Sequence, residues 1–331
     1  MQDDVESAEE RLIARYFRPL ATHPGAFALG DDAAALTPPA GCDVVLTTDG
    51  VIAGVHFFAD DPPETIGRKA LRMNLSDLAA KGATPIGFLL ALALPSGTNE
   101  AWLAAFAQGL GEDAARYGCP LLGGDTDRTP GPTSVSIAAF GAVPHGRMVR
   151  RSTAKVGDYV VVTGTIGDAA LGVKLRRDRG LARRWQLTDA MAHHLEQRYL
   201  LPQPRNTLTE AVLQHAAAAM DVSDGLAGDL AKLCRASSIA AAIDVSRVPL
   251  SDAVRAAIVA APELIETVLS GGDDYEIILT LAPEKLAAFR AAAKAVGIVV
   301  TEIGRVQAGE GARFIQDGKA LTFARPSYSH F

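Results

Sequence analysis

Short β-rich runs alternate with longer amphipathic stretches along nearly the whole chain, and this restricts the fold more than any other feature. Cys42–Thr48 (CDVVLTT), Ile86–Leu94, Pro120–Leu122, Ser134–Val143, Asp158–Thr163, Ala219–Val222, Ala240–Val245, Tyr275–Thr280 and Ile298–Ile303 have the length and residue types of strands. Val51–Phe58 reads as a further extended piece. Glu6–Leu20, Glu64–Lys81, Asn99–Tyr117, a stretch starting at Asp168, Leu226–Arg235 and Pro283–Val296 read as helices, and Arg176–Gln203 as helical and surface-exposed. Thr98 or Asn99 suits an N-cap, and Gly82 a C-terminal stop. The alternation predicts an α/β (α+β) class. A basic, polar stretch from Pro144 to Lys155 (PHGRMVRRSTAK) predicts a division into domains 1–148 and 149–331.

Composition narrows the partners. Lys and Arg number 32 against 38 Asp and Glu, a net charge of −6, so binding nucleic acid through bulk charge is not expected. The longest strongly apolar run, Ile86–Leu94, falls short of the roughly 20 residues of a membrane span. Met1–Glu10 is acidic and has no apolar core, which predicts no secretory signal. Cys42, Cys119 and Cys234 lie far apart, with neither metal-ligand spacing nor a disulfide framework, so a reducing cytoplasm is the expected location.

The carboxylates carry the chemical information. Asp31-Asp32 follows Gly30. Asp49 closes Thr47-Thr48-Asp49-Gly50, and Asp77 lies in Asn74-Leu75-Ser76-Asp77. Asp125 sits in Gly123-Gly124-Asp125-Thr126, Asp221 and Asp224 in Asp221-Val222-Ser223-Asp224-Gly225, and Asp273-Asp274 follows Gly271-Gly272. Any one of these is an ordinary turn, because Asp and Gly favour turns. Six of one kind suit a site where hard oxygen ligands hold several Mg²⁺ ions around phosphate chains. The usual nucleotide and hydrolase signatures are absent. Gly167–Lys174 (GDAALGVK) has Val where a P-loop needs Gly, and no G-x-G-x-x-G, H-E-x-x-H or G-x-S-x-G occurs. His193-His194 reads as a solvated pair on a charged helix.

In order along the chain, these motifs resemble the thiamine-monophosphate kinase family. The pieces run from Leu12–Phe17 (LIARYF) through Gly30–Ala33, Thr47–Asp49, Gly54–Phe57 (GVHF), Asn74–Ala83 (NLSDLAAKGA), Gly123–Thr126, Arg151-Ser152, Gly157-Asp158, Asp221–Leu226 (DVSDGL) and Gly271–Ile277 (GGDDYEI) to Tyr328–Phe331. The resemblance implies two α/β domains, a fold shared with aminoimidazole-ribonucleotide synthetase. The N-terminal domains of a homodimer would pair into a β-barrel with ATP bound near that interface, and the C-terminal domain would be an α/β sandwich. It implies transfer of phosphate from ATP to thiamine monophosphate, with Mg²⁺ required.

Carried over by motif, Asp32, Thr47, Thr48, Asp49, Asp77, Asp125, Asp221 and Asp224 would form the metal shell. Gly124, Asp125, Arg151 and Ser223 would contact ATP, and His56, Asp273 and Tyr328 the substrate. The family usually has Glu where this chain has Asp273, and Gly where Ser327 precedes Tyr328. Asp229 and Asp274 read as surface or turn residues. The acceptor is itself a phosphate, with a second pKa near 6, so no general base is expected. Catalysis would come from positioning and charge neutralisation during in-line transfer, without a phosphoenzyme.

Two alternatives are weaker. Other ATP-using enzymes of this fold carry a reactive Cys with a nearby Lys in an N-terminal loop, or a terminal Cys. Here no Cys precedes Cys42, no Lys precedes Lys69, and the chain ends in Phe331. The other alternative is a non-catalytic nucleotide-binding member of the fold, which the full acidic set argues against.

Overall fold

The computed structural model describes residues 7–325 and residue 327, and divides them into two compact units. One comprises residues up to Leu78 and Thr84–Gly146; the other comprises Ala79–Ala83 and Arg147 onward.

In the first unit, α1 (Ala8–Leu12) opens on a capping box, with the Ser7 hydroxyl accepting from the Glu10 amide. The single helix expected as far as Leu20 is instead broken, continuing as a π turn (Ile13–Phe17) and a 3₁₀ turn (Arg18–Leu20) that contains Pro19. Strands β1 (Cys42–Ile52), β2 (Thr84–Pro95), β3 (Leu121–Thr129) and β4 (Ser134–Pro144) form a sheet in the order β1-β4-β2-β3. Only β2 and β3 are parallel, joined through α3 (Glu100–Tyr117), which Asn99 caps by accepting from the Trp102 amide. Helices α2 (Pro63–Ala80) and α3 meet closely: a Cβ on Gly109 would lie 2.1 Å from the Glu64 carbonyl oxygen. They are also clamped by a two-point ion pair between Arg72 and Asp113, both about 1% exposed.

Burial alternates along β1. Val45 and Val51 are buried, whereas Val44 and Leu46 on the opposite face are exposed, Leu46 by 68%. Leu89 of β2 is also exposed. One face of this sheet therefore carries exposed apolar side chains within the unit.

The second unit has a seven-stranded mixed sheet in the order β11-β10-β7-β9-β5-β8-β6. Its strands are β5 (Tyr159–Thr163), β6 (Ala218–Val222), β7 (Ala240–Asp244), β8 (Glu276–Leu281), β9 (Val300–Gln307), β10 (Gly311–Gln316) and β11 (Lys319–Ala320). Helices α4 (Asp168–Arg177), α5 (Gly180–Arg184), α6 (Asp189–Leu200), α7 (Thr209–His215), α8 (Leu226–Ser237), α9 (Asp252–Ala260), α10 (Leu264–Ser270) and α11 (Leu286–Ala295) accompany it. Val160 and Val162 enter one core with Leu171, Leu230 and Val254, while Val161 enters another with Val212, Ile277 and Phe289. Both faces are covered, which is why Val160–Val162 form an unbroken apolar run. The expectation of a surface-exposed 176–203 needs correction: Trp185, Leu195, Arg198 and Tyr199 are buried there. So the architecture is two α/β units.

Candidate active site

In the first unit, the expected acidic turns prove to be regular structure. Strand β1 does not stop at Asp49-Gly50 but runs on to Ile52, so the extended piece expected from Val51 to Phe58 ends early, in a turn. Asp77 lies within α2, and Gly123–Thr126 lies within β3 rather than after it. A Cβ on Gly124 would come within 1.9 Å of the Leu90 carbonyl oxygen, so the close approach of β2 and β3 requires glycine there.

Alternation along β1 places Thr47 and Asp49 on one face and Thr48 on the other. The Thr47 hydroxyl donates to the Asp77 carboxylate of α2. The Thr48 hydroxyl donates instead to the Ile137 carbonyl at 3.0 Å. Asp31, Asp32, Gly124 and Asp125 line a cavity of about 790 Å³, whose wall includes Val44, Leu46 and Phe140. Asp31 accepts from the Asp32 amide at 2.8 Å, and Asp125 from the Thr126 amide at 2.9 Å. Thus Asp32 is brought to Asp125, and Thr47 to Asp77.

His56 sits in the turn after β1. Its Nδ1 accepts from the Ile52 amide at 3.0 Å, and its carbonyl accepts from the buried Lys69 ammonium at 3.0 Å. A proton on His56 in this arrangement is therefore carried at Nε2.

In the second unit, Asp221 is buried near the end of β6. The turn after it is shaped by a residue expected only as surface or turn, Asp229. This residue is fully buried in the first turn of α8 and accepts from the Ser223 and Asp224 amides at 3.0 and 2.9 Å. Lys232 bridges Asp224 at 2.5 Å and Asp229 at 2.8 Å. Burial raises the Asp229 pKa, and the Lys232 ammonium partly offsets that rise.

The loop Gly271–Tyr275 lies against the same turn. Asp273 donates its amide to the Ser223 carbonyl at 2.9 Å, and Tyr275 donates its own to Val222 at 2.8 Å. The Tyr275 hydroxyl approaches Asp273 at 3.5 Å. Asp274, also expected as a surface or turn residue, is fully buried and accepts from the Gly167 and Ala169 amides at the start of α4. Burial pushes its carboxyl well above the usual range. Arg151 is exposed, and its carbonyl accepts from the Ser237 hydroxyl at 2.8 Å. Tyr328 lies outside the described residues.

His194 is not merely solvated. Its Nε2 lies 3.2 Å from the fully buried Asp168, and hydrogen bonding to that carboxylate raises the histidine's pKa. Burial pushes Asp168 up, but hydrogen bonds from His194, Ser251 and Thr165 outweigh it, leaving the pKa below its ordinary value.

The donors named in both units are carboxylates, hydroxyls and backbone groups, which fits Mg²⁺. Among the described residues, no three His, Cys, Asp or Glu side chains are grouped to hold an ion by themselves. Mg²⁺ commonly takes one or two carboxylates and completes its shell with water and substrate phosphates, so this donor set fits that mode. Two fully buried oxygens near Asp77, Asn74 Oδ1 and Ser76 Oγ, have no hydrogen-bond partner.

Residues 30–143 match the family described as AIR synthase related protein, N-terminal domain, and residues 155–317 match its C-terminal domain. The thiamine-monophosphate kinase of Caulobacter vibrioides is 44% identical over 322 residues, covering 96% of this chain and 89% of that protein. The crystal structure of the thiamine-monophosphate kinase from Stenotrophomonas maltophilia superposes with a TM-score of 0.83 at 38% identity, over 96% of this chain and 98% of that one. The structure of AaThiL complexed with AMPPCP and TMP gives a TM-score of 0.78 at 31% identity, over 91% of each chain.

Proposed function

The chain belongs to the thiamine-monophosphate kinase family, and we infer that it transfers the γ-phosphate of ATP to thiamine monophosphate, giving thiamine diphosphate and ADP. The observation that carries this reading is similarity at 44% identity across 96% of the chain. A rival of the same fold, the hydrogenase maturation protein HypE, superposes at a TM-score of 0.78 but at only 20% identity, which shows the fold alone.

Both reacting groups are anionic, so their mutual repulsion is the main obstacle. An acidic chain, with net charge −6, counters it by recruiting cations. Asp32, Thr48 and Asp125 on the side of β1 that carries Val44 and Leu46, Thr47, Asp49 and Asp77 on its other side, and Asp221 and Asp224 in the second unit would hold Mg²⁺. Bound Mg²⁺ neutralises phosphate charge and aligns the phosphate oxygens. Gly124 brings bare backbone to the nucleotide, and Arg151 and Ser223 supply donors to its phosphates. His56 offers Nε2, and Asp273 a carboxylate, to the organic part of thiamine monophosphate; the motif assigns Tyr328 there too. The acceptor phosphate is ionised near neutral pH, so no side chain is assigned as a general base.

The working form would be a homodimer, with the exposed apolar side chains Val44, Leu46 and Leu89 covered by a second copy. No helix among the described residues is long and apolar enough to cross a membrane. Together with three unpaired cysteines, this supports a cytoplasmic location.

The test is to incubate the protein with ATP, Mg²⁺ and thiamine monophosphate and follow the phosphorus resonances. Appearance of the thiamine diphosphate signals, in step with ADP, is expected. ATP turnover without that product, or no turnover, overturns the reading.

A further inference from the structure

The loop that carries Asp273 is held in a conformation its residues do not favour. Asp273 has φ +73° and Tyr275 has φ +50°, both in the left-handed region that residues other than glycine rarely occupy. Such backbone persists only where its surroundings over-determine it.

Those surroundings are polar and buried. Between the two strained residues, Asp274 is 0% exposed and anchors its carboxylate on the Gly167 amide at 2.7 Å and the Ala169 amide at 3.3 Å. From α6, Arg198 donates through Nη2 to the Asp274 carbonyl at 3.1 Å and to Glu276 Oε1 at 2.9 Å. Glu276 is likewise 0% exposed; it pairs with Arg205 and accepts from the Thr163 hydroxyl at 2.7 Å. Buried ion pairs of this kind are weak evidence for stability, because well-packed apolar residues often do as well. Here they fix the shape of one loop. Arg198 grips the carbonyl one peptide from Asp273, and the same Nη2 reaches Glu276 in that pose.

We infer that Arg198 and Asp274 are positioning residues for phosphoryl transfer: they lock Gly271–Tyr275 so that Asp273 is presented to the non-phosphate part of the acceptor. This rests on the reading of Asp273 as an acceptor contact.

The experiment measures kcat, KM for thiamine monophosphate, KM for ATP and melting temperature for Arg198→Met, Asp273→Ala and the double variant. Arg205 remains beside Glu276 in all three. Loss of a hydrogen bond involving a charged group corresponds to roughly 10–150-fold. Arg198→Met is expected to raise KM for thiamine monophosphate by about tenfold or more on that scale, with KM for ATP unchanged. The double variant should be no worse than Asp273→Ala, because both changes remove one presented carboxylate. A lowered melting temperature with both KM values unchanged overturns the inference, as does a double variant whose effects multiply. If Asp273→Ala itself leaves KM unchanged, the acceptor-contact reading fails, and the inference falls with it by a distinct result. Should Arg198→Met not fold, Arg198→Lys serves: it keeps the charge, but its ammonium falls one bond short of the Nη2 that makes both contacts. It should raise the same KM alone, and an unchanged KM again overturns the inference.

Discussion

The two sheets of this protein treat their apolar residues in opposite ways. In the second unit both faces are covered, and Val160, Val161 and Val162 are all fully buried. In the first unit one face is covered less completely, leaving Leu46 68% exposed and Val44 and Leu89 exposed as well. A contiguous exposed apolar face usually marks an interaction surface. The second sheet is covered on both faces within its own chain, whereas the first leaves apolar side chains exposed on one.

The sharpest way to break this comparison is to place the same charge in each sheet. Val161→Asp buries an unpaired carboxylate between two layers, a change that costs several kcal/mol and is comparable with the whole stability of a domain. No folded protein is expected, by circular dichroism and thermal melting. Leu46→Asp puts the charge on the less covered face, where an exposed substitution costs about 0.5 kcal/mol or less. That variant should fold and sediment as a monomer near 34.6 kDa, whereas the parent should sediment at about twice that mass. A folded Val161→Asp, or a Leu46→Asp that still pairs, would remove the contrast.

A smaller effect sharpens the account of the second unit. His194 has a pKa raised from its ordinary 6.5 by its hydrogen bond to Asp168. Its contribution to stability is therefore complete below the unfolded value and is lost as pH rises through the folded one. Asp168, whose pKa is lowered, contributes above the unfolded carboxylate range and loses that contribution on acidification. Melting temperature should thus fall across the neutral-to-alkaline range in the parent and show less slope in His194→Gln. The histidine side chain is 45% exposed, so solvent screening keeps the effect small. An identical slope in both proteins would show that the pair does not couple to folding.

The long elements were legible because periodicity and caps agreed. Asn99 caps α3, and Gly82 follows α2 with φ +69°. Short elements were not legible. Helices α9 and α10 are nine and seven residues long, with too few turns to show a face, and β11 is two residues long. The chemistry-bearing motifs are legible in the sequence, but their structural settings are not. Gly123-Gly124 looks like a turn because glycine punctuates turns, yet Gly124 is there so that two strands can approach. Asp229 and Asp274 looked peripheral because an aspartate in a first helical turn, or after two glycines, is ordinary on a surface. Only the fold reveals that both are buried anchors of the loops that carry Asp224 and Asp273.

The central claim is that Asp77 acts through metal held around the nucleotide phosphates, whereas Asp273 contacts the acceptor. It is tested most directly by steady-state kinetics for both substrates on Asp77→Asn and Asp273→Ala. Asp77→Asn keeps an acceptor for the Thr47 hydroxyl and removes only charge, so it should fold and lose most of its turnover at saturating Mg²⁺. Asp273→Ala should raise KM for thiamine monophosphate by roughly 10–150-fold and leave kcat and KM for ATP near the parent values. Parent-like turnover in Asp77→Asn at saturating Mg²⁺, or a KM for thiamine monophosphate untouched by Asp273→Ala, would contradict the account.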